Sequence, residues 1–289
     1  AAVGKIFAAK GRPSNHPVIV HLADAVQLAN WAREVPEAAR GLAKKFWPGP
    51  LTVILKRARG VSNSVTGGQD TVALRVPSHP VAQQLLRRFG GGIAAPSANR
   101  HGRVSATTAE HVRREFGAAV DCVLDGGEAD VGIESTIVDL SGAAAALLRP
   151  GWITAAEIER VLGASLAAPA VDAPRAPGTL AAHYAPRTPL ALMEGDLALV
   201  LAASLSRQGK RVAVLALSAR QPLAPGLEWL AAPRDAAGYA HALYASLRRL
   251  DEAGCDALIV ERPPQSPEWA AINDRLARAA AGTPASDVI

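Results

Sequence analysis

Between Ala164 and Pro189 the chain shifts to Ala, Pro and Gly, with prolines recurring from Pro169 to Pro189. Proline fixes φ and removes the backbone N–H, so this stretch cannot form a continuous helix or a central strand. It is predicted to be a linker at 164–189, which divides the 289-residue chain into domains at 1–163 and 190–289. With 49% hydrophobic and 20% charged residues there is apolar material for two ordinary cores, and nothing reads as disorder. Beyond the linker, Leu190 to Met193 reads as a strand, Leu197 to Gln208 as a helix and Arg211 to Leu217 as a strand. A helix from Ala236 to Ala253, a strand from Ala257 to Glu261 and a helix from Trp269 to Ala281 follow. Such alternation predicts a small parallel, Rossmann-like sheet. No Gly-x-Gly-x-x-Gly turn follows its first strand, so a dinucleotide site is unsupported there.

The first domain also reads as α/β. Val3, Ile6 and Phe7 share one face of a helix that Gly11-Arg12-Pro13 must stop, and a strand then ends at His21. Helices are predicted over 24–33, 36–46 and 79–89, and strands over 51–55, 71–77 and 93–95. Thr107 is expected to cap a helix running to Phe116, with Glu110 at capping-box distance. Two further strands are expected over 120–124 and 135–140, around the turn Asp125-Gly126-Gly127.

The net charge of +5 is unevenly placed. Residues 1–163 carry 19 Lys or Arg against 14 Asp or Glu, whereas the remainder carries 12 of each, which favours an anionic ligand on the first domain. Cys122 and Cys255, the only cysteines, lie in different halves and are expected to be reduced and buried, with no disulfide framework or cysteine metal site. The apolar runs are too short and interrupted to span a bilayer and the first residues lack a secretory layout, so the expectation is a cytoplasmic protein.

The motif with the most chemistry is Lys10-Gly11-Arg12-Pro13 with Asn15-His16 and His21. A guanidinium fork and a movable ammonium together suit a polyphosphate, although the same residues also describe a solvated basic turn. Pro96-Ser97-Ala98-Asn99 follows a short buried strand, and Ser105 lies a few residues on. Arg75 stands between Leu74 and Val76 inside an apolar strand, where an inward charge must be paired. Ser135 follows Glu134 at a strand start, and Arg149 precedes the turn Pro150-Gly151. Ser135 has neither a Gly-x-Ser-x-Gly elbow nor a triad pattern, and His16, His21 and His79 lack zinc spacing.

Six motifs in order carry a resemblance: Lys10-Gly11-Arg12-Pro13, Trp47-Pro48-Gly49-Pro50-Leu51-Thr52, Leu74-Arg75-Val76-Pro77, Ala95-Pro96-Ser97-Ala98-Asn99, Gly132-Ile133-Glu134-Ser135-Thr136 and Leu148-Arg149-Pro150-Gly151. Together they resemble the YrdC/Sua5 family of threonylcarbamoyl-AMP synthases over 1–163, and His183-Tyr184-Ala185-Pro186 looks like the linker of the long Sua5 form. The resemblance implies a YrdC-like twisted mixed sheet with a basic concave cavity, followed by a smaller Sua5 domain. It also implies a nucleotidyltransferase that joins L-threonine, bicarbonate and ATP, with Mg2+ accompanying the ATP. The product would pass to a downstream threonylcarbamoyl-transferase complex that modifies adenosine 37 of tRNA.

By the same resemblance, Lys10, Arg12, His16, Thr71, Ser97, Asn99, Ser105, Arg149 and Tyr184 would surround ATP. His21, Arg75, Ala95 and Ser135 would hold threonine. No protein nucleophile and no protein-held metal are expected. His16 stands where the family usually carries Asn, with Asn15 adjacent. The family also places a strand with a Thr-x-x-x-Tyr-Gly-Leu motif ahead of the Lys-x-Arg region, whereas here only nine residues precede Lys10. The expectation is a sheet lacking that strand, with lowered stability and weak threonine binding. Two alternatives stand beside the enzyme: a carbamoyltransferase component handling carbamoyl-adenylate, and a regulatory module binding tRNA or other RNA through its basic surface. The 4% aromatic content offers few stacking platforms for the latter.

Overall fold

The structure is a computed structural model that describes residues 2–217 and 225–283. The parts of the expected second domain at 218–224 and 284–289 lie outside the described residues. In chain order the elements begin with α1 (Ala2–Lys10), β1 (Ile19–His21), α2 (Leu28–Trp31), α3 (Glu37–Phe46), β2 (Leu51–Lys56), α4 (Asn63–Thr66) and β3 (Thr71–Arg75). Next come α5 (Pro80–Phe89), β4 (Ile93–Ala94), α6 (Ala109–Phe116), β5 (Thr136–Asp139), β6 (Ala146–Arg149) and α7 (Ala155–Leu162). The last are β7 (Leu190–Met193), α8 (Gly195–Arg207), β8 (Val212–Ala216), β9 (Leu227–Ala231), α9 (Ala236–Glu252), β10 (Ala257–Glu261) and α10 (Ala270–Ala280).

These elements form two compact units. One takes residues 1–97, 118–126 and 134–179, and the other takes 98–117, 127–133 and 180–289. Residues 98–117 and 127–133, placed by the sequence within the first domain, thus group with the second unit, and the expected linker divides between the two after Thr179.

The first unit holds a six-stranded mixed sheet in the order β4-β1-β3-β2-β5-β6. β1 runs parallel to β3 and β2 parallel to β5, while the β2–β3, β1–β4 and β5–β6 pairs are antiparallel. Val18, Val20, Leu51, Val53, Leu55, Val72 and Leu74 alternate along these strands into one core with Phe7, Leu28, Leu42 and Ile158. α1 ends in a Schellman turn: Gly11 sits at φ 63°, its N–H reaches Ala8 O and the Arg12 N–H reaches Phe7 O. That turn aims Lys10 and Arg12 at the start of β1.

The second unit holds a four-stranded, wholly parallel sheet in the order β7-β10-β8-β9. Successive residues of β8 face opposite ways. Ala213 and Leu215 pack with Leu243, Leu247 and Leu276 of α9 and α10, while Val212, Val214 and Ala216 pack with Ala198, Ala202 and Leu205 of α8. Among the described residues no helix is long and apolar enough to cross a membrane.

Several local expectations are corrected. The run 120–124 forms no strand, because nothing pairs with it in either sheet and Leu124 is left 59% exposed. The helix expected over 24–33 is only a 3-10 turn, capped by Asp24 through Val26 N, followed by the short α2; Ala32 is extended and bridges Arg57. Thr108, not Thr107, caps α6 by accepting from His111 N, and Glu110 closes no capping box. The cysteines are free, but Cys122 is exposed and Cys255 half-buried, so neither is the buried residue expected. β6, β9 and α7 were not anticipated, although Thr154 and Glu157 form a complete capping box at the start of α7.

Candidate functional site

The parallel register of β1 and β3 places His21 beside Arg75 at the carboxy-terminal ends of both strands. The sequence reading requires a partner for Arg75, and what it finds is the carbonyl of Gly49, reached by Nε at 2.9 Å. A carbonyl fixes the fork without cancelling its charge. Among the described residues Arg75 forms no ion pair; its charged neighbour is another arginine, Arg149. Burial and the Arg149 charge together push Arg75 down to about 10, so its guanidinium remains charged at neutral pH.

Arg149 ends β6 and is buried, with Nε at 3.1 Å and Nη2 at 2.8 Å from Ser135 O. Its Nη2 also lies 3.1 Å from Ser135 Oγ, and Nη1 donates to Pro177 O at 2.7 Å. Ser135 Oγ is 2.8 Å from Thr52 Oγ1, so a buried hydroxyl pair lies against the guanidinium. Thr52 ends the Trp47-Pro48-Gly49-Pro50-Leu51-Thr52 motif, and its position on β2 follows from the β2–β5 register, in which Thr52 faces Ile137.

His21 Nε2 lies 3.2 Å from Ala95 O. Because a carbonyl only accepts, Nε2 carries the hydrogen and Nδ1 is a bare acceptor while the ring is neutral. Burial and the Arg75 charge push His21 down to about 4, outweighing the Ala95 bond that raises it. The ring is therefore neutral at physiological pH, and this strand end presents two cations, an imidazole acceptor and a hydroxyl pair.

The amino-terminal ends of the same strands carry a second group. Arg12 is buried and donates through Nη2 to Pro17 O at 2.7 Å, just before β1, while the Lys10 ammonium donates to Ser97 O. β4 runs antiparallel to β1, and the Ala95 N–H bonds Ile19 O, so Ser97 continues toward this end. His16 is held below its usual range by burial and by the charges of Arg12 and Arg175. Arg175 reaches Gly67 O at 2.9 Å, and Gln69 exchanges bonds with the Arg175 backbone, two residues before Thr71. Thr71 begins β3, so it stands about 13 Å along the strand from Arg75. Arg175 was missed by sequence reasoning; it lies between Pro174 and Pro177, where the linker reading concealed any role.

Asn99, Ser105 and Tyr184 belong to the second unit and are organised within it. Asn99 is buried and its Nδ2 donates to Arg100 O at 2.7 Å and Arg103 O at 2.8 Å, tying a turn together. Ser105 is buried beside Val104, which lies in the core of that unit. Tyr184 is 1% exposed at φ 61°, stacks on Tyr244 at 5.6 Å and lies under the Arg275 guanidinium at 5.4 Å. A cleft of about 470 Å³ lined by Asp24, Arg40, Lys44, Gln83 and Arg87, among others, takes in Trp47, Pro48 and Val76 of the motifs but none of the residues expected to contact ATP or threonine.

Comparison with known proteins agrees with the motifs. Residues 1–151 match the Sua5/YciO/YrdC family, described as "Telomere recombination", and residues 153–281 match the family described as "Threonylcarbamoyl-AMP synthase, C-terminal domain". The chain belongs to the Sua5/YciO/YrdC family. It is 39% identical to the threonylcarbamoyl-AMP synthase of Pyrococcus abyssi over 96% of this chain and 84% of the relative. It is 40% identical to the protein of the same name in Bacillus subtilis, over 97% of this chain and 84% of the relative. The crystal structure of P. abyssi Sua5 complexed with L-threonine superposes with a TM-score of 0.89 at 38% identity, covering 97% of this chain and 85% of that one. Both Sua5-type sheets of the present chain fall within that similarity.

Proposed function

We propose that this Sua5-family protein is a threonylcarbamoyl-AMP synthase of the tRNA threonylcarbamoyladenosine pathway, and that the two ends of the β1–β3 pair divide its substrates. The observation that carries this reading is the like-charge pair Arg75 and Arg149 set against Ser135, with neutral His21 alongside. Two guanidiniums that destabilise each other are relieved by an anion between them, and a guanidinium fork matches a carboxylate. Threonine offers that carboxylate, together with an ammonium and a hydroxyl able to donate to His21 Nδ1 and the Ala95 carbonyl. The amino-terminal group of Lys10, Arg12, His16, Thr71 and Ser97 takes the phosphates and ribose of ATP. Arg149, bonded to Ser135 at the threonine end, is assigned to the α-phosphate, which the carboxylated amine attacks. Asn99, Ser105 and Tyr184 are assigned to the nucleotide by their motifs alone.

The reaction needs no protein nucleophile. The threonine amine takes up bicarbonate with loss of water, the resulting N-carboxylate oxygen attacks the α-phosphorus, and the bond to pyrophosphate breaks. The protein's part is to hold the reactants in line and to stabilise the charge spread over the phosphates, which Lys10, Arg12 and Arg149 are placed to do. Mg2+ enters as part of the ATP substrate. The side chains assigned to the phosphates, Lys10 and Arg12, are cationic and share the phosphate charge with the ion.

Incubation with ATP, Mg2+, bicarbonate and labelled threonine should release pyrophosphate only when threonine is present. Release indifferent to threonine would overturn the assignment, and a requirement for carbamoyl phosphate in place of threonine and bicarbonate would transfer it to the carbamoyl-adenylate chemistry.

A further inference from the structure

The second unit contains a guanidinium whose bonds all converge on the segment bearing Asn99 and Ser105. Arg248, in the fourth turn of α9, has a side chain only 11% exposed. Its Nε donates to Ser105 O at 3.1 Å and its Nη2 to Val104 O at 2.6 Å. The same Nη2 meets Glu115 Oε2 at 3.1 Å, on α6. The other oxygen of that carboxylate, Oε1, accepts the Arg100 N–H at 3.0 Å. One side chain therefore fixes the backbone at Val104 and Ser105 directly, and through Glu115 it fixes the amide next to Asn99. The segment has further anchors: Val104 in the core, Ala185 N on Gly102 O at 2.8 Å, Arg103 on Pro186 O at 3.2 Å, and Thr107 N on His111 Nδ1 at 3.3 Å.

A fully exposed ion pair would contribute little, but this one is only 11% exposed on each side and its guanidinium also bonds two carbonyls, and a rigid fork constrains direction as well as distance. We propose that Arg248 is a positioning residue for the nucleotide: from the C-terminal domain it sets the loop that presents Asn99 and Ser105, so that domain takes part in ATP use. The proposal rests on the assignment of these two residues to the nucleotide. It gives the C-terminal domain, which carries no catalytic motif of its own, a definite task. Arg248 touches no substrate and acts only through the loop.

The test compares the full-length protein with Arg248→Ala, Arg248→Lys and Glu115→Gln, and with Arg249→Ala as the neighbouring control. Arg248→Ala should raise the KM for ATP by about tenfold or more and leave the KM for threonine within about twofold, as loss of a charge-assisted contact to one substrate's loop requires. Arg248→Lys, which keeps the charge and one bond, should fall between wild type and Ala, and Glu115→Gln should give a smaller rise. Hydrogen exchange followed by segment should show lost protection at 99–107 in Arg248→Ala with α10 unchanged. Equal rises in both KM values, or an unchanged KM for ATP in a folded variant, would overturn the proposal. If wild type shows no threonine-dependent pyrophosphate release, the assigned reaction fails instead. ATP titration by calorimetry then decides the clamp: weaker binding in Arg248→Ala sustains it, and equal binding with unaltered exchange at 99–107 refutes it.

Discussion

Arg75 in the first unit and Arg248 in the second are both largely withdrawn from solvent, yet their surroundings differ in kind. Arg248 has a carboxylate, Glu115, and two carbonyls, so its charge is met within the protein and its effect is to lock a loop. Arg75 has a carbonyl and, as its charged neighbour, a second guanidinium; burial first and that charge second push it down to about 10. A largely shielded arginine beside an acid organises the chain around it; one beside another arginine favours an anion, the role proposed for it here. Desolvated charge calls for a partner, and in the function proposed above the threonine carboxylate supplies one for Arg75.

Substitutions can break this contrast at either end. Arg149→Ala should have the largest effect. It removes the charge facing Arg75 and strips partners from Ser135 O, Ser135 Oγ and Pro177 O, costing about 2–4 kcal/mol of stability and most of the activity. A denaturant midpoint equal to wild type would contradict that. Arg75→Ala should come next and act selectively: the threonine KM rises about 10- to 100-fold, equivalent to about 1.5–3 kcal/mol, while the fold persists because only one carbonyl loses its donor. An increase confined to the ATP KM would reverse the assignment of the two strand ends.

A milder test uses pH. His21 is pushed down to about 4 from 6.5, so the folded protein holds it neutral while the unfolded chain protonates it. Its contribution is complete above pH 6.5 and is lost as pH falls through 4. The gap should reach about 1–3 kcal/mol, read as a shrinking difference in urea midpoint between wild type and His21→Gln from pH 7 down to 4.5. A difference constant across that window would remove the desolvated-imidazole argument. Arg249→Ala should do least. Its 3.5 Å pair with Glu228 is solvent-exposed on both sides, and the change should stay within about 0.5 kcal/mol by thermal melting.

The sequence exposed those parts of the fold that depend on local periodicity. α1, α3 and α5 and the strands β1 to β3 follow from apolar spacing and from the glycine and proline that end them. β9 was hidden because it is an edge strand carrying Glu228 and paired on one side only, with β8. The stretch 120–124 misled for the converse reason: it has strand composition but no ladder to join, and pairing is not a property of a segment alone. At the site, the ordered motifs named nearly every residue found at the two strand ends. They could not show that Arg75 and Arg149 are mutual neighbours, since that follows from the β3-β2-β5-β6 order of the sheet, nor that Thr52 backs Ser135. The allotment of 98–117 to the second unit was likewise unreadable, because Arg248 and Val104 meet only after α9 has folded.

That allotment bears on how such a protein can be divided. The second unit is made from three separate lengths of chain, 98–117, 127–133 and 180–289, so the polypeptide passes between units five times. Helix α9 receives both inserted lengths. Arg248 grips the first, and seven residues earlier, on the same face, His241 Nδ1 bonds Asp130 O at 3.0 Å. The backbone at 240–241 also closes on Gly132 so tightly that a Cβ there would come within 2.3 Å of His241 O. No single stop codon or fission point separates the two units cleanly. A gene cut after Thr179 would leave its upstream product with two segments whose helix is encoded in the other fragment, so loss of the C-terminal domain in any lineage would have to be accompanied by rebuilding both.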